Sequence, residues 1–116
     1  MTCIDGFVCA VPDENRAAYQ KHAEEAAKLF KAHGALSVVE AWGVDVPEGK
    51  LTSFHKAVQR KEGESIVFAW ITWPSREARD AAWARLMEDP EMANMSTMPF
   101  DGKRMIYGAF EAIVQA

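Results

Sequence analysis

The chain has 116 residues, with 13 basic and 17 acidic side chains and a net charge of −4. Apolar residues make up 49% and charged residues 26%, the balance of a globular chain rather than a disordered one. That length suits a single domain over residues 1–116 with its own apolar core, and the scattered bases, nowhere denser than Arg60-Lys61 and Lys103-Arg104, exclude nucleic acid as an expected partner.

Residues 1–11 read as a strand, with Ile4, Val8 and Ala10 on one face and Cys3, Phe7, Cys9 and Val11 on the other. Pro12-Asp13 breaks it, Asp13 is the expected N-cap, and a helix is predicted from there to about residue 33. Its inner stripe is Tyr19, Ala23, Ala26 and Phe30, and Gly34 is a natural terminating residue. Residues 35–44 form a second strand with Leu36, Val38, Trp42 and Val44 on one face, followed by a turn at Val46-Pro47-Glu48-Gly49. Residues 52–59 are predicted as a short extra strand. Residues 65–73 are almost continuously apolar, which marks a strand buried on both faces. Ser75 then caps a second helix with Ala78, Ala82 and Leu86 inside, and Asp89-Pro90 stops it. A methionine-rich connection covers residues 91–102, and residues 103–114 are the last strand.

Two β-helix-β halves in succession give a ferredoxin-like βαββαβ layout, an α+β fold with one antiparallel sheet. Right-handed crossovers place both helices on one face of that sheet. The strands are nevertheless apolar on both sides, and monomers rarely expose a large apolar patch. Each large side chain buried contributes roughly 1.5–3 kcal/mol, so a second copy is expected on the bare face, giving a homodimer in the form of a dimeric α/β barrel.

Several stretches are similar to one bacterial family of unknown function, the YbaA-like family. They include Asp5-Gly6-Phe7, His33-Gly34-Ala35-Leu36, Asp45-Val46-Pro47-Glu48-Gly49-Lys50 and Phe68-Ala69-Trp70. Pro74-Ser75-Arg76 and the run Met98-Pro99-Phe100-Asp101-Gly102-Lys103-Arg104-Met105 also match. The resemblance spans essentially the whole chain and implies a dimeric α/β barrel. It implies no activity. Gly108-Ala109-Phe110 departs from the Gly-Gly-Phe expected there.

The candidates for chemistry are few. His22 lies in the first helix beside its inner stripe, and His55 lies on the segment between two turns; either imidazole could serve as a base at a pocket. Asp5 is an acid within a strand and needs a partner if it faces inward. Arg104 and Lys103, near the start of the last strand, are the possible partners, because the first and last strands are neighbours in the order 4-1-3-2. Glu40, Trp42, Trp70 and Met98 are the candidates for lining a ligand pocket. His33 reads as a helix-end residue. Cys3 and Cys9, about 20 Å apart along one strand, are out of disulfide reach. No metal-ligand spacing, phosphate loop or nucleophile elbow occurs, so neither metal nor cofactor is expected. No run approaches the roughly 20 apolar residues of a membrane helix, and the first residues lack the pattern of a secretory signal. The expectation is a cytoplasmic protein with no membrane partner. Three functional readings follow: a homodimer binding a small apolar or aromatic molecule, a cofactor-free enzyme of monooxygenase or isomerase type using a histidine and a carboxylate, or a stress or protein-interaction module.

Overall fold

The computed structural model describes residues 1–95 and 98–116. Four strands, β1 (Cys3–Pro12), β2 (Ser37–Trp42), β3 (Glu64–Trp73) and β4 (Ile106–Glu111), form one sheet in the order β2-β3-β1-β4. Every neighbouring pair is antiparallel. The long central strands β1 and β3 pair along their whole length, from Cys3 opposite Trp73 to Pro12 opposite Glu64. β1 ends on Pro12, whose missing N–H cannot continue the ladder.

Two helices, α1 (Arg16–Ala32) and α3 (Arg76–Glu88), supply one layer. α1 starts after a 3-10 turn at Asp13–Asn15. Asp13 is therefore not its N-cap; its carboxylate accepts from the Ser65 hydroxyl instead. The C-terminal end follows the expected chemistry. Gly34 has φ 104°, its N–H donates to the Lys31 carbonyl, and the Ala35 N–H donates to the Phe30 carbonyl, each at 3.1 Å. This is a Schellman ending, which a side chain at Gly34 would strain. Ser75 caps α3 by accepting from the Ala78 N–H at 3.0 Å. Asp89 ends α3 and caps the short α4 (Pro90–Ala93), accepting from the Glu91 N–H at 2.8 Å.

The core lies between this helix layer and the sheet. Leu29 of α1 and Ala82 and Leu86 of α3 pack against Cys3, Ile71 and Trp73, while Tyr19 and Ala23 of α1 pack against Cys9, Val11 and Val67. Removing the buried Leu86 side chain would cost about 2–5 kcal/mol.

Residues 52–59 are not a strand. Ser53 accepts from the Lys56 N–H at 3.0 Å and starts the short helix α2 (Phe54–Ala57). The two large apolar residues of this stretch, Phe54 and Val58, are four apart, which is helical spacing rather than alternation. Val58 is 0% exposed and packs with Val46 onto Val8, Ala10 and Ile66, on the sheet face opposite α1 and α3. One end of that face is thus covered by the chain itself.

The last strand is also shorter than residues 103–114. Asp101 accepts from the Lys103 N–H at 3.0 Å and holds Gly102–Arg104 in a 3-10 turn. Ile113 and Val114 stand exposed beyond its end. The methionine-rich connection includes residues 96 and 97, which lie outside the described residues.

Candidate functional site

A cleft of about 520 Å³ runs between α1 and β2 along the edge of the sheet. Strand alternation turns Val38, Glu40 and Trp42 toward the helix layer, opposite Ile71, Ala69 and Val67 of β3. Helical spacing brings Arg16, Tyr19, Ala23 and Ala27 of α1 to the facing wall. Chain direction pairs Arg16 with Trp42 at one end of the cleft and Ala27 with Val38 at the other.

The chemistry of the cleft centres on Tyr19 and Glu40. The Tyr19 hydroxyl donates to Glu40 Oε1 at 2.6 Å, and the Cys9 thiol donates to the same hydroxyl at 3.9 Å. Tyr19 is itself buried, with Trp42 and Phe100 edge-on to its ring at 6.4 and 5.6 Å between centroids. Burial pushes the Tyr19 hydroxyl well above the usual phenol range, and nearby Cys9 and Glu40 add to the effect. Burial raises the Cys9 thiol to about 11, with the hydrogen bond to Tyr19 opposing. Both therefore keep their protons at neutral pH, and Cys9 is no thiolate nucleophile. Glu40 is exposed as a residue, yet desolvation raises its carboxyl, against the lowering effect of the Tyr19 hydrogen bond. Glu40 is the acceptor on which this chain of donors ends. Its second oxygen receives no hydrogen bond from the described residues. At the end of the cleft the Arg16 guanidinium lies 5.0 Å from the centre of the Trp42 ring, a cation–π arrangement.

Asp5 occupies a different and closed environment. It is 3% exposed on β1, facing the helix layer. Trp73 Nε1 and Trp83 Nε1 each donate to its Oδ2 at 2.8 Å, and Arg79 donates from Nε at 3.1 Å and Nη2 at 2.9 Å to its Oδ1. The hydrogen bond to Asp5 raises the Arg79 guanidinium further. This arrangement ties β1 and β3 to α3 and uses the acceptor capacity of Asp5 within the fold. Arg104 is not its partner. Arg104 donates from Nη1 and Nη2 to the two carboxylate oxygens of Glu64 at 2.8 and 2.7 Å, and from Nε to Asp101 at 3.1 Å. Asp5 pairs along the backbone with Ala109, well up β4, whereas Arg104 precedes that strand.

The other sequence candidates are dispersed. His22 is half-buried on α1 and is not part of the cleft wall. His55 is half-buried on α2, which lies over the opposite sheet face. Trp70 belongs to that opposite face, with Phe68 at 5.6 Å between ring centroids. Met98 is half-exposed beside Gly102. No histidine joins a carboxylate in the cleft. Of the eight candidates the structure brings together Glu40 and Trp42, and it adds Tyr19, Arg16 and Cys9. Tyr19 was visible as a polar-tipped member of the α1 stripe. Glu40 shares the parity of Val38 and Trp42, so an acid turned toward a helix was a readable request for a donor. Among the described residues no group of three His, Cys, Asp or Glu side chains is placed to hold a metal ion, and no helix is long and apolar enough to cross a membrane.

A small α+β protein with a four-stranded antiparallel sheet, a helix layer and a sheet-edge cleft is the class these features define. Comparison with solved structures agrees at the level of fold: the structure of Rv0793 from Mycobacterium tuberculosis superposes with a TM-score of 0.51 at 15% identity, covering 100% of this chain and 99% of that one. The chain belongs to the family described as Protein of unknown function (DUF1428), which it matches over residues 2–102. It is 54% identical over 115 residues to the uncharacterized protein YbaA of Escherichia coli strain K12, covering 98% of both chains. The YbaA of Shigella flexneri matches equally, at 54% over 115 residues and 98% of both chains. The resemblance to YbaA-like proteins in the sequence is thereby established, and with it membership of a family whose function is uncharacterised.

Proposed function

We propose that the chain is the protomer of a cytoplasmic homodimer that binds a small molecule with an apolar or aromatic body in the cleft between α1 and β2. The observation that carries this reading is the Glu40 carboxyl, with one oxygen unmatched by a donor among the described residues, in a cleft of mixed polar and apolar walls. One oxygen is fixed by Tyr19 and the other is open toward the cleft. The cleft volume falls within the roughly 300–1,000 Å³ of small-molecule sites. Glu40 is exposed as a residue, so water can serve its second oxygen until a ligand hydroxyl or amine takes that place.

The assembly reading is a ferredoxin-like dimeric α/β barrel. Its support is the sheet face opposite α1 and α3. There Phe68 is 42% and Phe110 62% exposed, and they join Ile4, Trp70 and Ile106 around a shallow apolar depression of about 590 Å³. A second copy laid on this face across a two-fold axis would match like against like. Two free cysteines are consistent with a reducing compartment.

Thermal-shift screening against aromatic metabolites tests the ligand reading, with Glu40→Gln and Trp42→Ala as controls. At least one compound is expected to raise the melting temperature of the native protein and to lose its effect in both variants. A screen without shifts, or shifts untouched by the substitutions, would overturn it. Light scattering at micromolar concentration tests the assembly, and a monomer would defeat it.

A further inference from the structure

The charges of the cleft are divided along its length. Arg16 stands at one end against Trp42, and among the described residues it forms no ion pair. Glu40 lies two residues back from Trp42 on β2, and Glu24 lies two turns along α1 from Arg16, where it accepts from Gln20 at 3.2 Å. Two residues of strand separate Trp42 from Glu40 by about 6–7 Å. Arg16 and Glu40 thus share a cleft without meeting. The rest of the wall mixes the apolar Ala23, Ala27, Val38 and Val67 with the polar Gln20 and Glu24. Such a site offers a cation at one point, a carboxyl with one open oxygen at a second, and an apolar surface beyond.

We infer that the ligand of this cleft is an amino-acid-like zwitterion, whose carboxylate is held by Arg16 and whose ammonium is held by Glu40, with its apolar side group lying along Ala23, Ala27 and Val38. The inference rests on the ligand-binding reading above and narrows it. A carboxylate pairs with the guanidinium through two parallel hydrogen bonds without leaving the Trp42 face. Carboxylate and ammonium groups on one carbon fill a gap too wide for a direct ion pair. Once Arg16 is neutralised by the ligand, Glu40 and Glu24 leave the cleft net negative, and a cationic donor is preferred to a neutral one. The long rise of the Tyr19 hydroxyl also matters for specificity: it stays a donor to Glu40, so the ligand must donate rather than accept there.

Calorimetry with four probes tests this. Phenylalanine carries both groups, phenethylamine lacks the carboxylate, 3-phenylpropionate lacks the ammonium, and 3-phenyllactate replaces the ammonium by a hydroxyl. Phenylalanine should bind at least about tenfold more tightly than each of the others, the effect of one charge-assisted hydrogen-bonded contact. Arg16→Ala should bring phenylalanine down to the level of phenethylamine and leave phenethylamine itself unchanged. Glu40→Gln should bring it down to the level of 3-phenylpropionate. Equal binding of phenylalanine and either single-charge probe overturns the inference, and equal binding of 3-phenyllactate overturns the ammonium assignment. If none of the four binds while other compounds give Glu40-dependent shifts in the screen, the zwitterion is wrong and the ligand-binding reading stands. If nothing gives such shifts, both fail.

Discussion

Asp5 and Glu64 are the buried acids among the described residues, and each is met by an arginine from another element. The two should respond differently to substitution. Asp5→Ala would leave Arg79 and two indole N–H groups without their acceptor, and is expected to cost about 3–5 kcal/mol in urea unfolding. Asp5→Asn keeps an acceptor oxygen and should cost less. Glu64 is the residue to examine by pH. Hydrogen bonds from Arg104 hold its carboxyl down at about 2, below the ordinary 4.5. The ionised form is therefore favoured by folding, so its contribution is complete above pH 4.5 and is lost as pH falls toward 2. Asp101, lowered by the same guanidinium, acts in the same direction. Arg104→Ala should both lower stability at pH 7 and flatten the acid limb of a stability–pH curve; an unchanged limb would show that other carboxylates dominate it. Little of this was legible in advance. Parity along β1 shows that Asp5 faces inward, but the sequence does not reveal that an α3 arginine, rather than one near β4, reaches it.

At the scale of elements, the strands and the two long helices follow from patterns of period two and period three to four. The pieces that differ are those where capping decides. Residues 52–59 carry β-formers at their ends, yet Ser53 closes a helical turn and Val58 lands on the sheet. Lys103 and Arg104 extend the apparent last strand, but Asp101 turns them into a 3-10 coil. Neither side-chain cap competes visibly with strand propensity until the sheet positions are occupied. Val58→Ala removes packing at the covered end of the sheet and should destabilise by about 1–3 kcal/mol, measured by thermal unfolding. Ser75→Ala removes the cap of α3 and should cost about 1 kcal/mol.

The whole molecule is asymmetric about its sheet. One side is closed by α1 and α3, and the other is closed by residues of the β2–β3 connection at one end alone. The same inequality could be read from strands apolar on both faces beside helices enough for one. The cleft could not, because its polar members come from a helix and an edge strand whose alignment only the folded chain defines. Phe110 gives a clean way to probe the open side. Its ring lies across Gly6 and Gly108, where a Cβ would stand 3.5 and 3.4 Å away, and it contributes no buried core contact of its own protomer. On the proposed dimer, Phe110→Glu should leave the melting curve of a diluted protomer nearly unchanged while shifting light scattering from dimer to monomer. A variant that stays dimeric would place the contact elsewhere.

The two cysteines of β1 lie in different parts of the core, Cys3 with Leu29 of α1 and Ala82 and Leu86 of α3, and Cys9 with Tyr19 and Ala23 of α1. Cys3 also lines an open depression beside Arg76 and Arg79, whereas a thiol reagent reaches Cys9 only when α1 lifts away. Cys9 is consequently an intrinsic clock for α1. With Cys3 replaced by alanine, the alkylation rate of Cys9 times the opening of that one helix, and a ligand lodged against α1 would slow it.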